Sequence, residues 1–235
     1  MPRSAIVFVW LFAVARPTAG QAPYRVTWWD AASVGTAGAL TLIPVALNLP
    51  HGLPPCAPCD PASVPNIDRA ALHNASASAA TASTLMLGGV VGAAAFVSFH
   101  GLDPAQRRGN AAVLLNSLAW TQATTEWLKV LVHRSRPVLY TADAAAAASR
   151  PENRQSFPSG HASLAFAAAT TYLVIAQREQ LPHRARNAIL LYAGAVGVAV
   201  LRVTGGKHFP TDVAGGAVLG SSIGWLTATV HARAP

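Results

Sequence analysis

The stretch from Ala80 to Phe99 carries no charged residue and is long enough for the ~20 residues that cross a bilayer. A helix with no polar stripe must be surrounded by apolar material on every side, either lipid or a large protein core. The chain has 235 residues, of which 52% are hydrophobic and only 11% charged. Soluble domains usually carry about 25% charged residues, so this chain has too little polar material to cover a surface that faces water. Membrane embedding is therefore the leading class.

Further apolar segments follow the same logic. Val34 to Leu49 is short and contains Pro44, and Asn110 to Val132 is amphipathic, with Asn116, Gln122 and Glu126 among apolar residues. Ala162 to Ala176, Asn187 to Val203 and Val213 to Val230 complete the set. The pattern predicts an all-α fold, a polytopic membrane helical bundle of about six transmembrane helices. Residues 1–20 read as a signal-like apolar segment, with Arg3, an apolar run from Ala5 to Val14 and then small residues. Residues 21–235 read as a single membrane domain.

Arginines set the orientation. "DPAQRRG" holds Arg107 and Arg108, and "QREQLPHRAR" holds Arg178, Arg184 and Arg186. Short arginine-rich loops stay cytoplasmic. With both inside, the helix ends near Lys129, His161, Arg202 and Asp212 all face outward. A spanning Val34 to Leu49 must then begin inside, which conflicts with a cleaved signal peptide: either the first segment is uncleaved, the reading favoured here, or Val34 to Leu49 does not cross.

The formal charge of +8 does not indicate nucleic acid, because the basic residues are dispersed and lack an aromatic platform. Anionic headgroups or a phosphorylated substrate account for them better. Cys56 and Cys59 are too few for a cysteine-only zinc site, and read as a local disulfide or a free thiol pair.

Polar residues interrupt the outer helix ends in three places: "KVLVHRSRP" (Lys129 to Pro137), "SFPSGH" (Ser156 to His161) and "LRVTGGKHFPTD" (Leu201 to Asp212). Lys129, Arg136 and Arg202 supply cations, and arginine's forked donors match phosphate oxygens. Ser159 and Gly160 precede a helix, so their backbone amides can face an anion. His161 and His208 remain, with Asp212 placed four residues after His208 to orient it. Such an inventory suits phosphoryl transfer without a metal: cations bind the phosphate oxygens, one imidazole attacks and the other protonates the leaving oxygen.

These residues resemble the signature of the type 2 phosphatidic acid phosphatase superfamily, which reads K-x6-R-P, then P-S-G-H, then S-R-x5-H-x3-D. Lys129 is followed by six residues and then Arg136-Pro137, and Pro158-Ser159-Gly160-His161 is a full match. Arg202, His208 and Asp212 keep the spacing of the third part, while Leu201 stands where the family has serine. The resemblance implies that His208 is the nucleophile, forming a phosphohistidine, and that Asp212 holds its other ring nitrogen. It further implies that His161 acts as general acid and then base, and that Lys129, Arg136, Ser159, Gly160 and Arg202 bind phosphate. No metal or cofactor is implied.

Arg134 and Lys207 fall at unmatched positions and read as snorkelling interfacial charges. Glu126 stands one turn before Lys129 and reads as its ion-pair partner. Gly216, Gly220 and Gly224 recur every four residues, a stripe suited to close helix packing in a membrane.

The reading that follows is an integral membrane phosphatase acting on lipid phosphates, monoesters or diphosphates, with its site facing the periplasm or exterior. Alanine-rich composition and the signal-like start point to a bacterial inner membrane. Two alternatives stand beside it: a secreted soluble acid phosphatase with the same site, and a non-catalytic lipid-binding or transport protein. A vanadium haloperoxidase shares the pocket, but those chains are much longer.

Overall fold

In the computed structural model, which describes residues 23–232, each of the six apolar segments downstream of residue 22 is a helix whose ends follow from local chemistry. The signal-like segment 1–20 lies outside the described residues. Helix α1 (Trp28–Ala46) begins where the Thr27 amide donates to Asp30 at 2.7 Å. Helix α2 (Ala77–Phe99) is capped by Ser76, whose hydroxyl accepts from the Ala79 amide at 3.2 Å. Helix α3 (Pro104–Val132) is capped by Asp103 and has proline in its first position. It ends where His133 turns left-handed, at φ 53°. A short helix α4 (Ala144–Ala147) and two 3-10 turns lead to α5 (Gly160–Arg178), followed by α6 (Arg184–Thr204) and α7 (Pro210–Val230). Among the described residues there is no strand, only an isolated bridge between Tyr24 and Ala232. The fold is all-α, as the apolar periodicity predicts.

Two expectations change. The stretch "DPAQRRG", expected as a loop, forms the first turns of α3: Asp103 accepts the Ala105 and Gln106 amides at 2.7 and 3.0 Å, so the helix starts ahead of the arginines. The sequence predicts six spans, but by length and composition three helices are apolar enough to cross a membrane, namely α2, α6 and α7. These three mark the chain as a membrane protein. Helix α3 is diluted by Arg107, Arg108, Glu126 and Lys129, and α1 by Asp30. Helix α5 holds the middle of the bundle and needs no lipid-facing surface. It packs against α2, α3, α6 and α7, while α1 lies along α3.

The core around α5 is built largely from alanines, with Tyr172, Ile175, Val113 and Val198 filling the gaps. Small residues let the backbones approach closely, which is how helices associate where lipid is as apolar as the core. The glycine stripe is the extreme case. A Cβ on Gly216, Gly220 or Gly224 would stand 2.6 Å from the Ser159 carbonyl oxygen, 1.9 Å from that of Ser163 and 2.8 Å from that of Ala167. Only hydrogen fits there, so α7 lies directly on the α5 backbone. Gly220→Ala is expected to force the two helices apart and cost about 1–3 kcal/mol, the scale of overpacking a tight core. A lowered thermal midpoint in detergent would show it. Gly38→Ala, where nothing lies within 4 Å, should be no less stable.

The helices run so that one end of the bundle gathers the signature residues and the other gathers Arg107, Arg108, Arg178, Arg184 and Arg186. At the arginine end Asn110 donates to Glu179 at 2.9 Å, and His231 lies 3.0 Å from Asp30. Helix α1 therefore starts at the arginine end, as the charge argument requires. Its indole contacts with α3 follow in register: Trp120 Nε1 donates to Ser33 Oγ at 2.9 Å, and Trp127 Nε1 to the Leu40 carbonyl at 3.0 Å. At the signature end the loop before α2 carries a disulfide between Cys56 and Cys59. It bonds to the segment after α3, with the Cys59 amide donating to the Leu139 carbonyl at 2.8 Å.

Candidate active site

Four helix ends and one loop build the site. Lys129 projects from the last turn of α3, where Glu126 pairs with it at 2.9 Å, as its position one turn earlier predicts. Its ammonium reaches the start of α5, 3.7 Å from where a Cβ on Gly160 would sit. Arg136 follows the end of α3 and is fixed by its amide, which donates to the Asn153 carbonyl at 2.8 Å. Arg202 is buried in the last turn of α6, with Nη1 3.4 Å from Ser83 Oγ.

The loop from α6 to α7 places His208. Its two glycines are needed because the loop is pressed onto the chain entering α2. Gly206 has φ +64°, and a Cβ there would stand 2.1 Å from the Asn74 carbonyl oxygen. A Cβ on Gly205 would stand 3.0 Å from the Ala80 amide nitrogen. His208 is 2% exposed, and its Nδ1 donates to the Ser156 carbonyl at 2.7 Å. That bond puts the ring proton on Nδ1 and leaves Nε2 with a lone pair. Burial, together with the Arg136 and Arg202 cations, pushes the His208 pKa down to about 3 despite the neighbouring Asp212 carboxylate. The imidazole is neutral across the physiological range, which is the state a nucleophile needs.

Asp212 sits near His208 but does not hold it directly. Its Oδ2 is 3.7 Å from Nδ1, beyond hydrogen-bond reach. The carboxylate accepts instead from the Ser156 hydroxyl at 2.5 Å, the Phe209 amide at 2.8 Å and Arg134 Nη1 at 2.5 Å. Ser159 also differs in detail from the expectation. Its amide donates to the Asp212 carbonyl at 3.0 Å, so the first amides of α5 from Gly160 onward are the open backbone donors. The Ser159 hydroxyl is fully buried and has no partner among the described residues. Arg136 Nε and Arg202 Nε are buried and unpartnered in the same way. Buried donors left unmatched cost on the order of 1–3 kcal/mol each, and an oxyanion is an acceptor that would match these three.

His161 stands in the first turn of α5, with Nε2 3.1 Å from Thr84 Oγ1 on α2. Lys129, Arg136 and Arg202 all lie close enough for their charges to act on it. The structure thus brings the charged and histidine side chains of the three signature stretches, Lys129, Arg136, His161, Arg202 and His208, to one end of the bundle.

Sequence reasoning missed four others. Thr84 and Ser83 come from α2 and face His161 and Arg202. Arg134 does not snorkel: it forms ion pairs with Asp68 at 2.7 Å and Asp212 at 2.5 Å, and lies 4.5 Å over the Phe209 ring. Asp68 is fully buried. Its partners Arg134 and Thr211 are 66 and 143 residues away in sequence, so no local spacing could have found it. Lys207 is exposed, as an interfacial charge should be.

Neither the curated proteins nor the solved structures yield a match to this chain. A family model does: that of the PAP2 superfamily matches residues 110–235, a range that holds all three signature stretches, most of α3 and the whole of α5, α6 and α7. The match supports phosphatase-type chemistry on a phosphoric ester, and since it covers more than half of the chain, the protein belongs to the PAP2 superfamily.

Proposed function

We propose that the protein is a metal-independent phosphatase of membrane lipid phosphates that works through a phosphohistidine. The observation that carries this reading is the set of buried, unpartnered donors, Arg136 Nε, Arg202 Nε and Ser159 Oγ, beside a neutral histidine with its Nε2 lone pair free. A phosphate held by these groups, Lys129 and the first amides of α5 would present phosphorus to His208. Nε2 attacks, the N–P bond forms and the bond to the leaving oxygen breaks, with His161 giving that oxygen its proton. Water then attacks phosphorus, His161 takes the proton, and the N–P bond breaks to release phosphate. Burial and then three cations oppose a proton on His161 in the free enzyme, and a phosphate dianion among them would offset the cations' share. The substrate itself would therefore help to charge the acid that protonates its leaving group.

The bundle's surface supports a lipid substrate. Large apolar side chains point outward on α1, α2, α3, α6 and α7, among them Leu42, Leu85, Leu131, Ile189 and Val218. A soluble enzyme would not expose so much apolar surface, which argues against a secreted acid phosphatase. The site lies at one end of this apolar belt, at the depth of lipid headgroups. Its outward orientation is supported by the arginines at the other end and by the disulfide at the same end, since disulfides persist in oxidising compartments.

The test is hydrolysis of a panel of lipid phosphates by intact spheroplasts. Activity on added substrate should appear without permeabilisation, survive EDTA and be inhibited by vanadate, whose trigonal-bipyramidal form matches an in-line transition state. Activity lost to chelator and restored by a divalent ion would contradict the metal-free mechanism. Activity only after permeabilisation would reverse the orientation, and binding with no turnover of any ester would favour the non-catalytic reading.

A further inference from the structure

Behind Asp212 lies a buried chain of charges that the signature motifs do not contain. Asp68, in the loop before α2, accepts from Arg134 Nη2 at 2.7 Å, from the Thr211 hydroxyl at 2.7 Å and from the Thr211 amide at 2.9 Å. Arg134 turns its Nη1 to Asp212 Oδ1 at 2.5 Å and to Thr211 Oγ1 at 2.6 Å. Burial pushes the Asp68 carboxyl up, but the bonds from Thr211 and Arg134 outweigh it and hold the group below its ordinary value. The order Asp68, Arg134, Asp212 is thus anion, cation, anion. With Ser156 and Phe209 both donating to Oδ2, the Asp212 oxygen nearer His208 has its two lone pairs engaged before the imidazole is reached.

We propose that Arg134, itself paired with Asp68, is a positioning residue for the nucleophile, holding Asp212 away from His208 and sharing its charge, so that the ring proton rests on a neutral carbonyl. The inference rests on His208 being the nucleophile. A carboxylate bonded directly to Nδ1–H would fix the same tautomer but would also draw the ring toward imidazolium, which protonates the Nε2 that must attack. The Ser156 carbonyl fixes the tautomer without adding a charge. Arg134 keeps the choice between the two from reverting.

Other charged groups around His208 are few. Arg136, after α3, and Arg202, on α6, oppose a proton on its ring, while Asp212, on α7, favours one. Lys129 and Glu126 on α3 form their own pair, and His161 stands at the start of α5. Asp68 lies outside residues 110–235, so part of the nucleophile's setting comes from chain that the family match does not cover.

The experiment is a pH titration of imidazole ¹⁵N resonances in histidine-labelled, detergent-solubilised full-length protein, with His208 assigned by its loss in His208→Ala. In the unmodified protein His208 should remain the neutral Nδ1–H tautomer down to pH ~5, given burial and two adjacent cations. Arg134→Gln releases Asp212, and the His208 midpoint should rise by at least about one pH unit. Asp68→Asn removes an anion and leaves Arg134 wholly to Asp212, so the midpoint should not rise. The acid limb of kcat/KM should follow each shift. Should Arg134→Gln not fold, Arg134→Lys, which keeps the charge but cannot fork between its three partners, should raise the midpoint by a smaller amount. An unmoved midpoint in the folded arginine variant, or a rise in both Arg134→Gln and Asp68→Asn, overturns the proposal and leaves only a structural brace. Because the resonance is read without turnover, an unmodified protein inert toward phosphate esters would overturn the phosphatase reading while this titration still decided the placement of Asp212.

Discussion

His208→Ala is expected to abolish turnover on every phosphate ester, by on the order of 10⁴-fold or more, the scale seen when a covalent hydrolase loses its nucleophile. The expectation follows from geometry. With Nδ1 committed to the Ser156 carbonyl, Nε2 holds a lone pair at the centre of the cations, and no other nucleophilic side chain described there takes its place. The Ser156 and Thr84 hydroxyls are engaged with Asp212 and His161, and the Ser159 hydroxyl, though unpartnered, has no base in hydrogen-bond reach among the described residues to activate it. The loss should not depend on the leaving group, because no covalent intermediate can form from any ester. Rapid-quench measurement with a lipid phosphate and with p-nitrophenyl phosphate would read it. A variant that retains a burst of released nitrophenol would transfer the nucleophile's role elsewhere.

His161→Ala should behave differently, and the difference is its signature. A lipid alkoxide leaves poorly without a proton, so loss of the general acid should lower turnover roughly 10²–10⁴-fold on a lipid substrate. A nitrophenolate leaves unaided, so phosphorylation of His208 by that ester should be much less impaired. Hydrolysis of the phosphoenzyme still needs a base for the attacking water, and phosphohistidine should therefore accumulate as a burst. Equal losses on both esters with no burst would sink the division of roles between the two histidines, even with phosphatase activity intact.

What the sequence made legible was what lies close along the chain. The apolar run Ala80 to Phe99 is α2 with three residues added at its start, because Ser76 supplies the cap. Motif spacing gathered Lys129, Arg136, Ser159, His161, Arg202 and His208 without any knowledge of tertiary contacts. The start of α3 is also readable, since Asp103 before Pro104 is a cap, but the arginines that follow carry a competing loop signal. The arrangement around Asp212 was not legible. Whether a carboxylate four residues from a histidine bonds to it depends on what else reaches the carboxylate. Here the competitors, Ser156 and Arg134, arrive from 56 and 78 residues away. Thr84 is equally remote from His161, at 77 residues. Spacing can nominate such a pair, but it cannot rank the competitors.

The seam of Gly216, Gly220 and Gly224 against the α5 backbone also bears on when the enzyme comes into being during synthesis. Helix α7 follows every other helix that contributes a site residue, and it delivers Asp212, which accepts from the hydroxyl of Ser156, the residue whose carbonyl holds His208. Until it has been made, inserted past α6 and seated on α5, Ser159 lacks the Asp212 carbonyl that its amide bonds, and Ser156, which holds His208, lacks the carboxylate that its hydroxyl bonds. On the function proposed here, a chain still emerging from the ribosome would lack its assembled site, which the docking of a single helix completes.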